Sequence, residues 1–209
     1  MNLLRSANVL LLVGILGFTA CNNKPVPAGT DNADKPAQVP QVAANPNGLI
    51  DQSPMDIIYY PIEYPKLKMS GETSAPPAMR VMYSRPQKKG RDIFGNLQKY
   101  GQPWRLGANE ATEIEFFKNV TIQGKPVSAG RYVIYCIPEP KEWNIVLNSH
   151  LFSWGLHFDS TKDIQHFKIP VESTKGPVEY FTMTFLDRDK GASLVMAWDT
   201  VMAKLPIEF

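Results

Sequence analysis

Cysteine, histidine and long apolar runs are all scarce in this chain, and each scarcity excludes something. Two cysteines, Cys21 and Cys136, cannot build the disulfide framework of a small secreted scaffold. The three histidines, His150, His157 and His166, match the spacing of no zinc helix or ribbon. The Asp187-x-Asp189-x-Gly191 turn lacks the terminal Glu of a calcium loop, so no metal and no cofactor is expected. No apolar run approaches the roughly 20 residues that a membrane-spanning helix needs. Charge of one sign is not in surplus either: 22 Lys and Arg stand against 20 Asp and Glu, a balance that gives no reason to expect nucleic acid as a partner. A helical period longer than two turns is missing, and so is any fixed-period repeat, which sets solenoids and propellers aside.

What is present begins with an address. Arg5, the apolar run from Val9 to Phe18, and the step Phe18-Thr19-Ala20-Cys21 form a short secretory signal that ends at a lipoprotein-type cleavage site. Residues 1–20 are therefore expected to be removed, and Cys21 to become an acylated first residue that anchors the protein to a membrane. Only Cys136 would then remain, in the apolar context Tyr135-Cys136-Ile137 expected of a buried residue.

Residues 21–54 read as a disordered tether. Pro25, Pro27, Pro36, Pro40, Pro46 and Pro54 are dispersed among Ala, Asn, Asp, Gln and Val without an aromatic residue, so the segment buries too little to offset its ordering entropy. Residues 55–209 then carry the strand signals of a single domain. Short aromatic and β-branched runs occur at Asp56 to Tyr64, Met79 to Ser84, Thr112 to Phe117, Val120 to Ile122, Arg131 to Ile137, Trp143 to Asn148, Ile164 to Val171, Tyr180 to Leu186, Ser193 to Trp198 and Val201 to Ile207. This pattern predicts an all-β fold, an antiparallel β-sandwich or jelly-roll-like domain of about nine or ten short strands, expected to be a monomer. Pro61 marks the first run as an edge strand or a bulged one.

One block departs from the pattern. Between Tyr83 and Thr112 lies a long connection too rich in aromatic residues to be disordered, holding Arg85, Arg91, Tyr100, Trp104, Arg105, Asn109 and Glu110. Its runs Tyr83-Ser84-Arg85-Pro86 and Trp104-Arg105-Leu106-Gly107-Ala108-Asn109-Glu110-Ala111-Thr112, with Ala129-Gly130-Arg131-Tyr132, Glu142-Trp143 and Trp154-Gly155, resemble domain-of-unknown-function family 2911. The resemblance covers the globular part from about Pro54 onward and implies an exported bacterial envelope protein, in many members a lipoprotein. It implies no activity. Since Asn22-Asn23-Lys24 carries no acidic run resembling a surface-export signal, the expected place is the outer membrane, facing the periplasm.

Three roles are open to the block. Trp104, Tyr100 and Trp154 offer flat faces, and Arg85, Arg91, Arg105, Asn109 and Glu110 offer planar polar groups beside them, a combination suited to an envelope glycan or a short peptide. The same residues suit a structural lock, with a partly buried Arg–Glu pair, its arginine one of Arg85, Arg91 and Arg105, holding a long loop to the core beneath a shallow aromatic cleft. Glu110 with Asp92 or Glu113 could also supply the two carboxylates of a hydrolase. Ser84, by contrast, lacks the G-x-S-x-G elbow of a serine nucleophile.

Overall fold

A computed structural model describes residue 48 and residues 51–209; Cys21, the signal and most of the tether lie outside the described residues. The domain is all-β and antiparallel. Its strands are β1 (Met55–Tyr60), β2 (Met79–Ser84), β3 (Glu113–Phe116), β4 (Val120–Ile122), β5 (Lys125–Val127), β6 (Gly130–Pro138), β7 (Glu142–Asn148), β8 (Asp163–Arg188) and β9 (Gly191–Ile207). Seven form one curled sheet in the order β1-β2-β3-β6-β7-β8-β9, and β4 pairs with β5 as a separate hairpin.

The ten expected runs become nine strands for a physical reason. The runs 164–171 and 180–186 fuse into the 26-residue β8, and 193–198 and 201–207 fuse into the 17-residue β9. Polar residues between the runs, Glu172 to Lys175 and Asp199-Thr200, read as turns but are absorbed as register shifts in a long, bent ladder. Two further elements lack a strong sequence signal. Lys125-Pro126-Val127 is a three-residue strand, paired through a turn in which Gln123 and Gly124 have φ of 49° and 75°, the left-handed pair that a tight hairpin requires. The short helix α1 (Tyr64–Met69) follows β1, which ends before Pro61 at the free edge of the sheet.

Alternation assigns the faces. Met79, Val81 and Tyr83 of β2, Ile114 and Phe116 of β3, Ile134 and Cys136 of β6, and Ile145 and Leu147 of β7 point into the core, which they share with Phe181, Leu194, Trp198 and Leu205. Burial pushes the Cys136 thiol well above its ordinary value, so it stays protonated and inert. Ile57, Met82 and Glu113 point outward in register, as do Tyr59, Arg80, Glu115 and Arg131.

The curl brings the segment after β2 against β8. Lys88 N–H donates to Glu179 O at 2.7 Å and Phe181 N–H to Pro86 O at 2.9 Å. Past this point side chains replace the backbone ladder. Arg85 reaches Phe181 O at 3.4 Å, Thr182 Oγ1 at 3.0 Å and Asp56 at 3.3 Å, and Tyr83 reaches the backbone of Met183.

Candidate functional site

The Trp104 to Thr112 run is a compact turn built into the sheet. Trp104 takes the lane beside β6 that β3 leaves open: its N–H donates to Cys136 O at 2.7 Å, and Cys136 N–H returns a bond to Trp104 O at 2.9 Å. The chain then loops out through Leu106 and Asn109, both at positive φ, and rejoins the lane where Ile134 N–H donates to Thr112 O. Thr112 Oγ1 closes the loop by donating to Leu106 O at 2.7 Å.

This lane decides where Trp104 points. It shares the inward face with Cys136, is 4% exposed, stacks on Trp198 at 5.9 Å and meets Phe181, Trp143 and Phe94 edge-on. No face of its indole is left for a ligand. Glu110 does not form the expected Arg–Glu ion pair, with Arg105 or another arginine, among the described residues. Arg105 lies close enough to feel the Glu110 charge, and its Nε is buried without a hydrogen-bond partner. Burial lowers the Arg105 guanidinium from its ordinary value, an effect that Glu110 opposes. What locks Arg105 is packing against Gly155, where an added Cβ would lie 2.8 Å from Arg105 Cβ and 3.1 Å from Ala111 Cα.

A second loop covers the outer face of β6 and β7. It runs from Ser149 to Lys162 and is pinned at its far end by Phe158, whose ring stacks on Tyr135 at 4.1 Å. Tyr135 and Asn148 both donate to Asp163 at 2.8–3.0 Å, and burial with this carboxylate contact raises the Tyr135 hydroxyl far above its ordinary value. At the near end, Ala111 N–H donates to Ser153 O at 3.2 Å and Gly155 N–H to Ser153 Oγ at 3.1 Å, which ties the two loops together.

Between the loops and the outward faces of β1, β2, β3 and β6 lies a cleft of about 460 Å³. Met55, Met82 and Ser84 line it from the sheet, Phe152 and Trp154 from the second loop, and Glu110 and Ala111 from the first, the two loop segments being joined at the Ala111–Ser153 backbone bond. Glu113 and Arg131 line it as an ion pair at 3.4 Å, and the Arg131 guanidinium stands 4.9 Å from the Phe152 ring centre. Phe152, at φ 61°, is 83% exposed and Trp154 is 56% exposed.

Of the residues expected to act together, the cleft joins Glu110, Trp154 and, from the carboxylate pairs considered, Glu113. Arg85 belongs to the seam between β2 and β8. Arg91 donates to the Gln87 and Lys88 carbonyls at a separate basic hollow. Tyr100 lies over Gly95 beside Asp92 and Thr200, and Asn109 is spent on Asp51 and Ser53. Sequence reasoning missed Met55, Met82, Arg131 and Phe152. For Met82 and Arg131 a signal existed, since alternation puts both on the outward face.

A curled antiparallel sheet carrying an apolar-walled cleft is the class that fold and site define. The chain belongs to the family described as "Protein of unknown function (DUF2911)", whose model matches residues 65–207. Comparison with curated proteins and with solved structures gives no match.

Proposed function

We propose that this is a non-catalytic binding module of the bacterial cell envelope, lipid-anchored through Cys21, whose cleft takes a short extended peptide. What supports the anchor is the apolar run followed by Ala20-Cys21. The observation that carries the binding reading is the cleft's composition. Two thioethers and two exposed aromatic rings form its surface, and adaptable Met and rigid aromatic groups are the usual makings of a peptide-binding groove. A sugar needs several free planar hydrogen-bonding side chains beside an aromatic face, and here Arg105 is packed away, Asn109 is engaged elsewhere, and Arg131 and Glu113 are paired with each other, which leaves Glu110. The hydrolase alternative, with Glu110 as acid or base, is weakened because Glu113 is already paired with Arg131 and accepts the Phe152 N–H at 3.5 Å. Glu110 is left without a second free carboxylate across the cleft.

Screening the full chain against matched peptide and glycan arrays tests the reading. Peptide binding that disappears in Trp154→Ala is the expected result. Binding confined to glycans would overturn it, and turnover of an ester or glycan that is lost in Glu110→Gln would establish the hydrolase instead.

A further inference from the structure

The four tryptophans are not equivalent. Trp104, Trp143 and Trp198 share one buried aromatic cluster. Trp154 is half-exposed on the wall of the cleft, and among the described residues no ring or cation stands on its face. Its neighbour Phe152 differs, because Arg131 already covers that ring.

The charges of the cleft divide in the same way. Glu113 is neutralised by Arg131. Glu110 is exposed, lines the same cleft and forms no ion pair among the described residues; Arg105, on which its charge acts, is held against Gly155. The cleft is therefore lined by both an unpaired carboxylate and an open indole, together with two methionines.

We propose that the peptide bound in this cleft is recognised through a cationic side chain, a guanidinium or an ammonium, that stacks on Trp154 and pairs with Glu110, while an adjacent apolar residue packs on Met55 and Met82. Indole is the best aromatic partner for a cation, and the contact strengthens where water is partly excluded. The carboxylate makes the same cation a charge-assisted hydrogen-bond donor. Neither group does as much for a neutral side chain, and an acidic one is repelled by Glu110. The inference rests on the peptide reading above and narrows it.

The test uses three blocked tripeptides, Leu-Arg-Leu, Leu-Gln-Leu and Leu-Glu-Leu, titrated against the full chain and followed by calorimetry and by tryptophan emission. The Arg peptide should bind at least ~10-fold more tightly than the Gln peptide, the factor that one modest charge-assisted contact supplies. The Glu peptide should bind most weakly. Glu110→Gln should shrink the Arg preference to about twofold or less, and Trp154→Ala should remove both the binding and the emission change. Thermal melts of both variants check that the fold is kept. Equal affinity for the Arg and Gln peptides, or an Arg preference unchanged in Glu110→Gln, would overturn the cation reading and leave peptide binding standing. No binding of any of the three at millimolar concentration, alongside binding to a glycan array, would overturn both.

Discussion

The Tyr83 hydroxyl accepts the Met183 backbone N–H at 2.9 Å, joining a core side chain of β2 to the edge of β8 that faces away from β9. The same hydroxyl lies 3.3 Å from Met183 O and 3.4 Å from Asp56 Oδ2. Arg85, two residues on, takes Phe181 O and Thr182 Oγ1. Two side chains, one near the end of β2 and one just past it, thus satisfy backbone groups that a neighbouring strand would otherwise pair. This is how the sheet curls shut without a continuous ladder, and it spends Arg85 on the fold.

Tyr83→Phe should therefore cost about 1–3 kcal/mol, because it leaves the Met183 N–H buried without its acceptor. Urea unfolding of the variant beside wild type measures it, and a loss below about 0.5 kcal/mol would mean that water or a shifted strand replaces the hydroxyl.

A pH dependence follows from the same residue. Burial, the larger effect, and the nearby Asp56 push the Tyr83 hydroxyl up from 10.0 to about 12. Below pH 10 the group is protonated in both folded and unfolded chains, and its contribution is complete. As pH rises from 10 towards 12 the unfolded chain ionises first, so stability is lost through that window. Tyr135, raised in the same direction by burial and Asp163, extends the loss to higher pH. Denaturant midpoints measured from pH 8 to 11 should fall, and the fall should be smaller in the Tyr83→Phe variant.

Trp104 and Trp154 should separate cleanly under alanine substitution. Trp104→Ala empties the centre of the aromatic cluster and should cost roughly 3–5 kcal/mol. Trp154→Ala removes an exposed ring and should leave the unfolding free energy within about 0.5 kcal/mol. Finding the two costs equal would contradict the assignment of one to the core and the other to the cleft.

That contrast also shows how far the sequence could be read. The β class, the strand positions and the edge character of β1 were legible because alternation and Pro61 are local signals. The fusion that makes β8 and β9 was not, since polar residues inside a long ladder have the composition of turns. Trp104 was left open between a ligand face and a core lock because the lane it fills is defined by Cys136, some thirty residues later, and no local pattern carries that pairing. Glu110 and Trp154 were legible as chemistry, while their meeting in one cleft depends on the Ala111–Ser153 backbone bond between loops far apart in sequence. Met82 had only the alternation of β2 to mark it as outward, and a methionine in a strand otherwise reads as core.

The β8–β9 turn supplies the last prediction. Gly191 has φ of 96°, a conformation that L side chains rarely adopt, and an added Cβ would lie 2.1 Å from Ile207 O and 2.9 Å from Glu208 Cα. Both obstacles are backbone, so no rotamer change relieves them. Ile207 and Glu208 cannot retreat freely, because Glu208 exchanges two backbone hydrogen bonds with Thr121 of β4 at 2.8 Å each. Gly191→Ala must therefore strain the turn, or move the end of β9 and with it the β4–β5 hairpin. It should destabilise the domain by more than about 2 kcal/mol, well beyond an ordinary surface substitution. Gly124→Ala is the control: it also has positive φ, 75°, but an added Cβ there meets nothing within 4 Å. It should cost only the backbone penalty of about 1–2 kcal/mol. Thermal melts of the two variants side by side decide the matter, and a Gly191→Ala variant no worse than Gly124→Ala would show that the approach of β9 to the turn is not needed for stability.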